Sequence, residues 1–173
     1  MARPYQPSLL RLLHGGTAAL VAITWLSGLL IYNRYDGRWG RLPFPIGGDW
    51  IDLHGSAGSV LLPIAVLLGL YALSLGLRQL RRPSNAIALG ALVLAIGTGL
   101  QMEGDWVEEG QLGHLIYSLH LGSWVLLTLA VAAHLGGVLK QGGWGLAGSM
   151  FSRRVKGGDW PWHWPSQLLR RFR

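Results

Sequence analysis

There is no cysteine in the 173 residues. That absence removes disulfides, thiolate metal sites, iron–sulfur clusters and any cofactor attached through a thioether. Charge is scarce as well: Asp, Glu, Lys and Arg make up 13% of the chain, against about a quarter in soluble domains. With half its residues hydrophobic, such a chain cannot clothe a water-facing surface. Internal repeats and low-complexity tracts are also missing, which leaves a single domain as the expected organisation.

What is present in excess is glycine, 26 residues, and tryptophan, nine. Glycine suits close packing of membrane helices, and tryptophan collects at the two water interfaces. The net charge of +7 would suit a nucleic-acid partner in a soluble protein, but its distribution excludes one. Twelve of the fifteen Lys and Arg lie in residues 1–13, 78–82 and 140–173, and seven of the eight acids lie in the two segments between. That asymmetry is a topology signal, and it predicts both termini on the cytoplasmic side.

Four apolar stretches, at about 9–32, 53–77, 86–102 and 112–139, predict an all-α integral membrane four-helix bundle over residues 1–140. Arg3 and Arg11 before the first stretch resemble the start of a signal peptide. The run is too long for a typical signal core, however, and no A-x-A site follows it, so it is read as a retained helix. Residues 33–52 hold Asp36, Gly37, Gly40, Pro43, Pro45, Gly47, Gly48 and Asp49, which break any helix, while Trp39, Phe44 and Trp50 suit an interface. Pro63 should kink the second helix, and Pro83, Ser84 and Asn85 should stop one helix and cap the next. The third helix has no histidine; its Gly90, Gly97 and Gly99 point to a packing wall. The loop after it is acidic, with Glu103, Asp105, Glu108 and Glu109. Residues 141–173 form a tail in which Arg153, Arg154, Lys156, Arg170, Arg171 and Arg173 are interleaved with Trp144, Trp160, Trp162 and Trp164. It is too polar to span, and it is expected to lie on the anionic inner leaflet as a basic, Trp-rich cytoplasmic segment.

The chemistry is carried by histidine. His120 and His134 stand fourteen residues apart in the last apolar stretch, which puts them within about 40° on one helical face and about 21 Å apart in depth. Polar rings at such depth mark a functional site by default. His14 starts the first helix on the inner side and His54 the second on the outer side, so depth pairs His14 with His134 and His54 with His120. A neutral imidazole from each of two helices is a natural axial pair for iron in a b-type haem, with the porphyrin filling the apolar gap. The bland alternative, polar residues hydrogen-bonded between helices, explains any one histidine but not the matched depths. The reading is therefore two noncovalent haem b groups on His14, His54, His120 and His134. Gly15 and Gly16 beside His14 would let a flat macrocycle approach. His114 lies about 240° around the helix from His120 and is assigned to the outer surface. His163, within Trp-His-Trp, is read as interfacial. Arg11 is the first candidate for a haem propionate, then Arg34, Arg38 or Arg41, although topology signalling alone accounts for each of them.

This pattern resembles the bacterial cytochrome b561 family and the related cytochrome b subunits of membrane-bound hydrogenases and formate dehydrogenases. The resemblance covers about residues 9–140, and it implies one ligand from helix one, one from helix two and two from helix four, which match His14, His54, His120 and His134. It also implies electron transfer between a membrane quinone or quinol and a partner across the membrane, as an electron carrier or a quinone-linked oxidoreductase, in the bacterial inner or an internal photosynthetic membrane. The short third helix and the long tail depart from it. An accessory or anchor subunit of a larger respiratory or photosynthetic complex is the second reading, and a haem-free metal or proton pathway the third. The acidic loop offers a surface to a basic soluble redox protein, against the simpler reading of a solvated loop.

Overall fold

The computed structural model describes residues 5–44, 46–102 and 106–169; Arg3, Pro45, Glu103, Asp105, Arg170, Arg171 and Arg173 lie outside the described residues. Helix α1, Ser8–Ile31, continues into a π turn, Tyr32–Asp36, that ends on Gly37 at φ 66°, a left-handed conformation glycine adopts without steric cost. Helix α2, Trp50–Ser74, is opened by the Asp49 carboxylate, which accepts from the Asp52 backbone N–H at 3.3 Å. It runs through Pro63. A one-turn helix α3, Leu77–Leu80, leads to α4, Pro83–Gly99. Helix α5 is Leu115–Ser149, interrupted at Gly143 (φ 56°, ψ −156°), and a 3-10 turn Pro161–His163 precedes α6, Trp164–Leu169. The described residues contain no strand.

The bounds differ from expectation where local chemistry takes over. Helix α2 starts at Trp50 because Asp49 caps it. Pro83, expected to end a helix, instead opens α4, since its fixed φ suits the first helical position and its missing N–H is needed by no partner there. Asn85 is thereby freed from capping. Helix α5 runs on past residue 139 to Ser149.

Three of the helices are long and apolar enough to span a bilayer, and Pro83–Gly99 is shorter. The outward faces are apolar: Leu12, Leu26, Leu70, Val93 and Leu129 are each more than half exposed, while Ser27 and Ser123 are almost fully buried. That inversion of the soluble pattern fits a lipid surround. Most buried hydroxyls are satisfied within their own helices, as a medium without water requires. Ser27 donates to the Ile23 carbonyl at 2.8 Å and Thr98 to that of Leu94 at 2.7 Å.

Helix α1 packs along α2 and α4 along α5, with far sparser backbone contact between the two hairpins. Side chains cross the intervening gap in layers. At the loop end, Tyr117 donates to Asp36 Oδ2 at 2.7 Å, and Arg38 pairs with the same carboxylate at 2.8 Å. In the middle, Trp25 stacks on Trp124 with centroids 5.2 Å apart and donates to Thr128 Oγ1 at 2.8 Å. At the terminal end the tail folds back beneath α1, where Trp164 packs against the Leu9, Leu13 and Tyr71 cluster.

Candidate functional site

The four histidines occupy the two spaces between these three layers. His14 of α1 meets His134 of α5 with ring centroids 6.1 Å apart and planes at 39°. His54 of α2 meets His120 of α5 at 6.0 Å and 83°. Two imidazoles on opposite sides of one metal ion have centroids roughly 6.2 Å apart, taking about 2.0 Å for each metal–nitrogen bond and about 1.1 Å from nitrogen to ring centre. Both pairs therefore leave room for one ion between them. Among the described residues no three His, Cys, Asp or Glu gather as a metal cage. Two protein ligands are what an iron already held by a macrocycle needs.

The ring nitrogens are sorted by their neighbours. Nδ1 of His120 lies 3.1 Å from the Ala95 carbonyl and 3.0 Å from Thr98 Oγ1. A carbonyl only accepts, so His120 carries its proton on Nδ1. Thr98 gives its own hydrogen to the Leu94 carbonyl and can accept from the same ring. Ser27 stands likewise 3.0 Å from Nδ1 of His54 while donating to Ile23. Nδ1 of His134 lies 2.8 Å from Asn85 Oδ1, and the Asn85 amide nitrogen donates to the Gln79 carbonyl at 2.9 Å. That second bond fixes which way the amide faces, so His134 is the donor. In the His120 and His134 rings Nε2 is left with its lone pair free, the form that binds a metal, oriented by a partner on the other nitrogen, and Ser27 can accept from Nδ1 of His54 in the same way.

Backbone glycine makes the rings fit. A Cβ at Gly28 would stand 3.2 Å from Cε1 of His54, and one at Gly99 3.2 Å from Cε1 of His120. Gly15 has open space around its Cβ position, and at Gly16 a Cβ would make ordinary contact with Ile64. The loop-end pair opens into a cavity whose lining includes Gly28, His54, Gly99, Tyr117, His120 and Trp124. Trp124 Nε1 and Thr17 Oγ1 are buried without a hydrogen-bond partner among the described residues. Each lies within about one turn of a histidine pair, and each carries a desolvation cost of about 1–3 kcal/mol that a bound group can relieve.

The remaining residues singled out in the sequence lie apart from the pairs. His114 is exposed, stacks on Trp106 at 4.2 Å and faces Gln111 Oε1 at 3.1 Å. His163 sits in the tail beside Trp162, with its Nδ1 buried and unpartnered among the described residues. Arg11 donates to the Arg154 carbonyl at 2.9 Å, and its guanidinium lies over the Tyr5 ring. Arg38 is engaged by Asp36, which leaves Arg34 and Arg41 with backbone carbonyls at 3.3 Å. In the acidic loop Glu108 accepts from Tyr35 at 3.1 Å and Glu109 from Gln111 at 2.5 Å.

Sequence reasoning missed Ser27, Asn85 and Thr98, and with them the role of α4. A signal was present. Asn85 and Thr98 are thirteen residues apart in the helix just before the one whose histidines are fourteen apart, so two antiparallel neighbours place them at matching depths. A family model described as prokaryotic cytochrome b561 matches residues 5–153. No curated protein and no solved structure matches the chain.

Proposed function

The chain belongs to the prokaryotic cytochrome b561 family, membrane cytochromes that hold haem b and transfer electrons, and we propose that it does so through two haems, each on a bis-histidine site. His14 and His134 hold the haem at the terminal end, and His54 and His120 the one at the loop end. The observation that carries this reading is the equal spacing of the two pairs, 6.1 and 6.0 Å between ring centroids. When bound, a haem supplies a one-electron couple.

The chain's own part is placement. Helix α5 sets the two sites about 21 Å apart in depth, which spans most of the hydrocarbon layer. Asn85, Ser27, Thr98 and Ala95 hold the imidazoles in the tautomer that ligates. With both histidines of a pair engaged, a bound haem iron would have no position left for O₂, and the chemistry it would supply is electron transfer. Arg11, one turn before His14, is the assigned cation for a propionate at the terminal end.

A quinone or quinol is the assigned lipid-soluble partner, since a site near the interface is reachable from within the bilayer, and the second partner lies across the membrane. Both termini belong on the cytoplasmic side of a bacterial inner or internal photosynthetic membrane. The tail's exposed Trp160 and Trp162, stacked 5.2 Å apart beside Arg153, Arg154 and Lys156, suit the anionic leaflet there.

The test is a dithionite-reduced minus oxidised spectrum of the purified protein, quantified by pyridine haemochrome. About two b haems per chain are expected. One haem per chain overturns the pairing, and none in a folded protein withdraws the electron-transfer reading.

A further inference from the structure

The family match ends at residue 153, yet the residues just beyond it are bonded to the start of α1. Asp159 is 7% exposed. Its Oδ2 accepts the Ser8 backbone N–H at 2.7 Å and the Tyr5 hydroxyl, and its backbone carbonyl accepts from Ser8 Oγ at 2.6 Å. Trp164 Nε1 donates to Ser8 Oγ at 2.9 Å, and the Lys156 backbone N–H donates to the Tyr5 hydroxyl at 3.2 Å. The Lys156 ammonium lies 4.5 Å above the Tyr5 ring.

Ser8 is the first residue of α1, and Pro7 before it makes no side-chain cap. The cap comes instead from Asp159, about 150 positions away in sequence. A carboxylate there satisfies an orphan N–H and meets the positive end of the helix dipole. Burial, and then the bond to Asp159, hold the Tyr5 hydroxyl above the ordinary phenol range, so it stays a donor.

His14 lies within two turns of this cap, and Leu13, its neighbour, belongs to the cluster against which Trp164 packs. The tail leaves α5, which carries His134 fifteen residues before its last residue, Ser149, and returns to the start of α1, which carries His14. It thus ties together the two helices of the terminal-end pair, which belong to different hairpins and have little direct backbone contact.

We propose that residues 150–164 are a clasp for the terminal-end haem, with Asp159 as a positioning residue that fixes α1, and hence His14, opposite His134. This rests on the reading of His14 and His134 as ligands. The loop-end pair, on α2 and α5, should not feel the clasp.

The experiment measures transfer of haem from the full-length holoprotein to an excess of an apo-globin scavenger. His54→Leu and His14→Leu variants, each keeping one haem, assign the two kinetic phases. Asp159→Ala removes the cap of α1 and should speed loss of the terminal-end haem roughly tenfold while leaving the loop-end haem within twofold. Asp159→Asn, which still presents an oxygen to Ser8, should stay close to wild type. If Asp159→Ala does not accumulate in membranes, Ser8→Ala removes the hydroxyl bonds to Asp159 and Trp164 and should give roughly a threefold effect at the same site. Equal acceleration of both haems, or of neither, overturns the clasp. If His14→Leu itself retains both haems, the ligand reading fails instead, and the two failures are thereby told apart.

Discussion

Asn85 accepts a hydrogen bond from Nδ1 of His134 at 2.8 Å, which gives a helix with no histidine control over an imidazole of its neighbour. The same helix offers Ala95 and Thr98 to His120. Helix α4 therefore orients both histidines that α5 contributes to the two pairs.

The two contacts should not be equally sensitive. Asn85→Leu leaves Nδ1 of His134 without its partner, and loss of such a bond typically weakens a metal site about 10–100-fold. Thr98→Val should cost less than tenfold at the loop-end site, because the Ala95 carbonyl still accepts from His120. Haem retention during dilution, followed optically for each site, checks the order; an equal loss for the two variants contradicts it.

Removing a ligand from either end of α5 should separate the sites. His120→Leu is expected to lose mainly the loop-end haem and His134→Leu mainly the terminal-end one, each leaving about one haem per chain by pyridine haemochrome. Full haem content in both variants would dismiss these pairs as the binding sites.

Gly99→Ala tests the close approach of backbone to ring. Its Cβ would stand 3.2 Å from Cε1 of His120, so the imidazole must give by a few tenths of an ångström. Overpacking of this kind costs about 1–3 kcal/mol. A changed low-spin haem signal is expected at the loop-end site alone. Gly15→Ala, with open space at its Cβ position, should leave both sites unchanged.

A haem iron held by both histidines of a pair would have no position free for CO. The dithionite-reduced wild-type protein should not bind CO rapidly, whereas His54→Leu opens a position at the loop-end iron wherever that haem is retained on His120. Optical CO difference spectra of both proteins decide this. Rapid CO binding to the intact reduced wild type would mean that at least one iron lacks its second histidine.

The chain's periodicity and charge were enough to read four apolar helices, their alternating direction and the depth of each histidine. Those properties follow from local sequence, because a helix rises by a fixed step and a bilayer sorts charge by side. The pairing of His14 with His134 and of His54 with His120 was legible for the same reason. The arithmetic of depth needs no contact information.

Other features depended on which helix lies beside which. Asn85 reads as a capping residue until Pro83 takes the first position of α4 and turns the amide toward α5. Gly28 and Gly99 look like any other small residues until an imidazole from another helix comes within 3.2 Å of their Cβ positions. Asp159 reads as one acid in a basic tail, and only the fold brings it beneath Ser8. The sequence by itself determined the helical membrane class and the relative depths of the four histidines, since these rest on hydrophobicity and helical rise. The tertiary structure decided the tautomers, the fit of the rings and the clasp, because each is a contact between segments that only packing brings together.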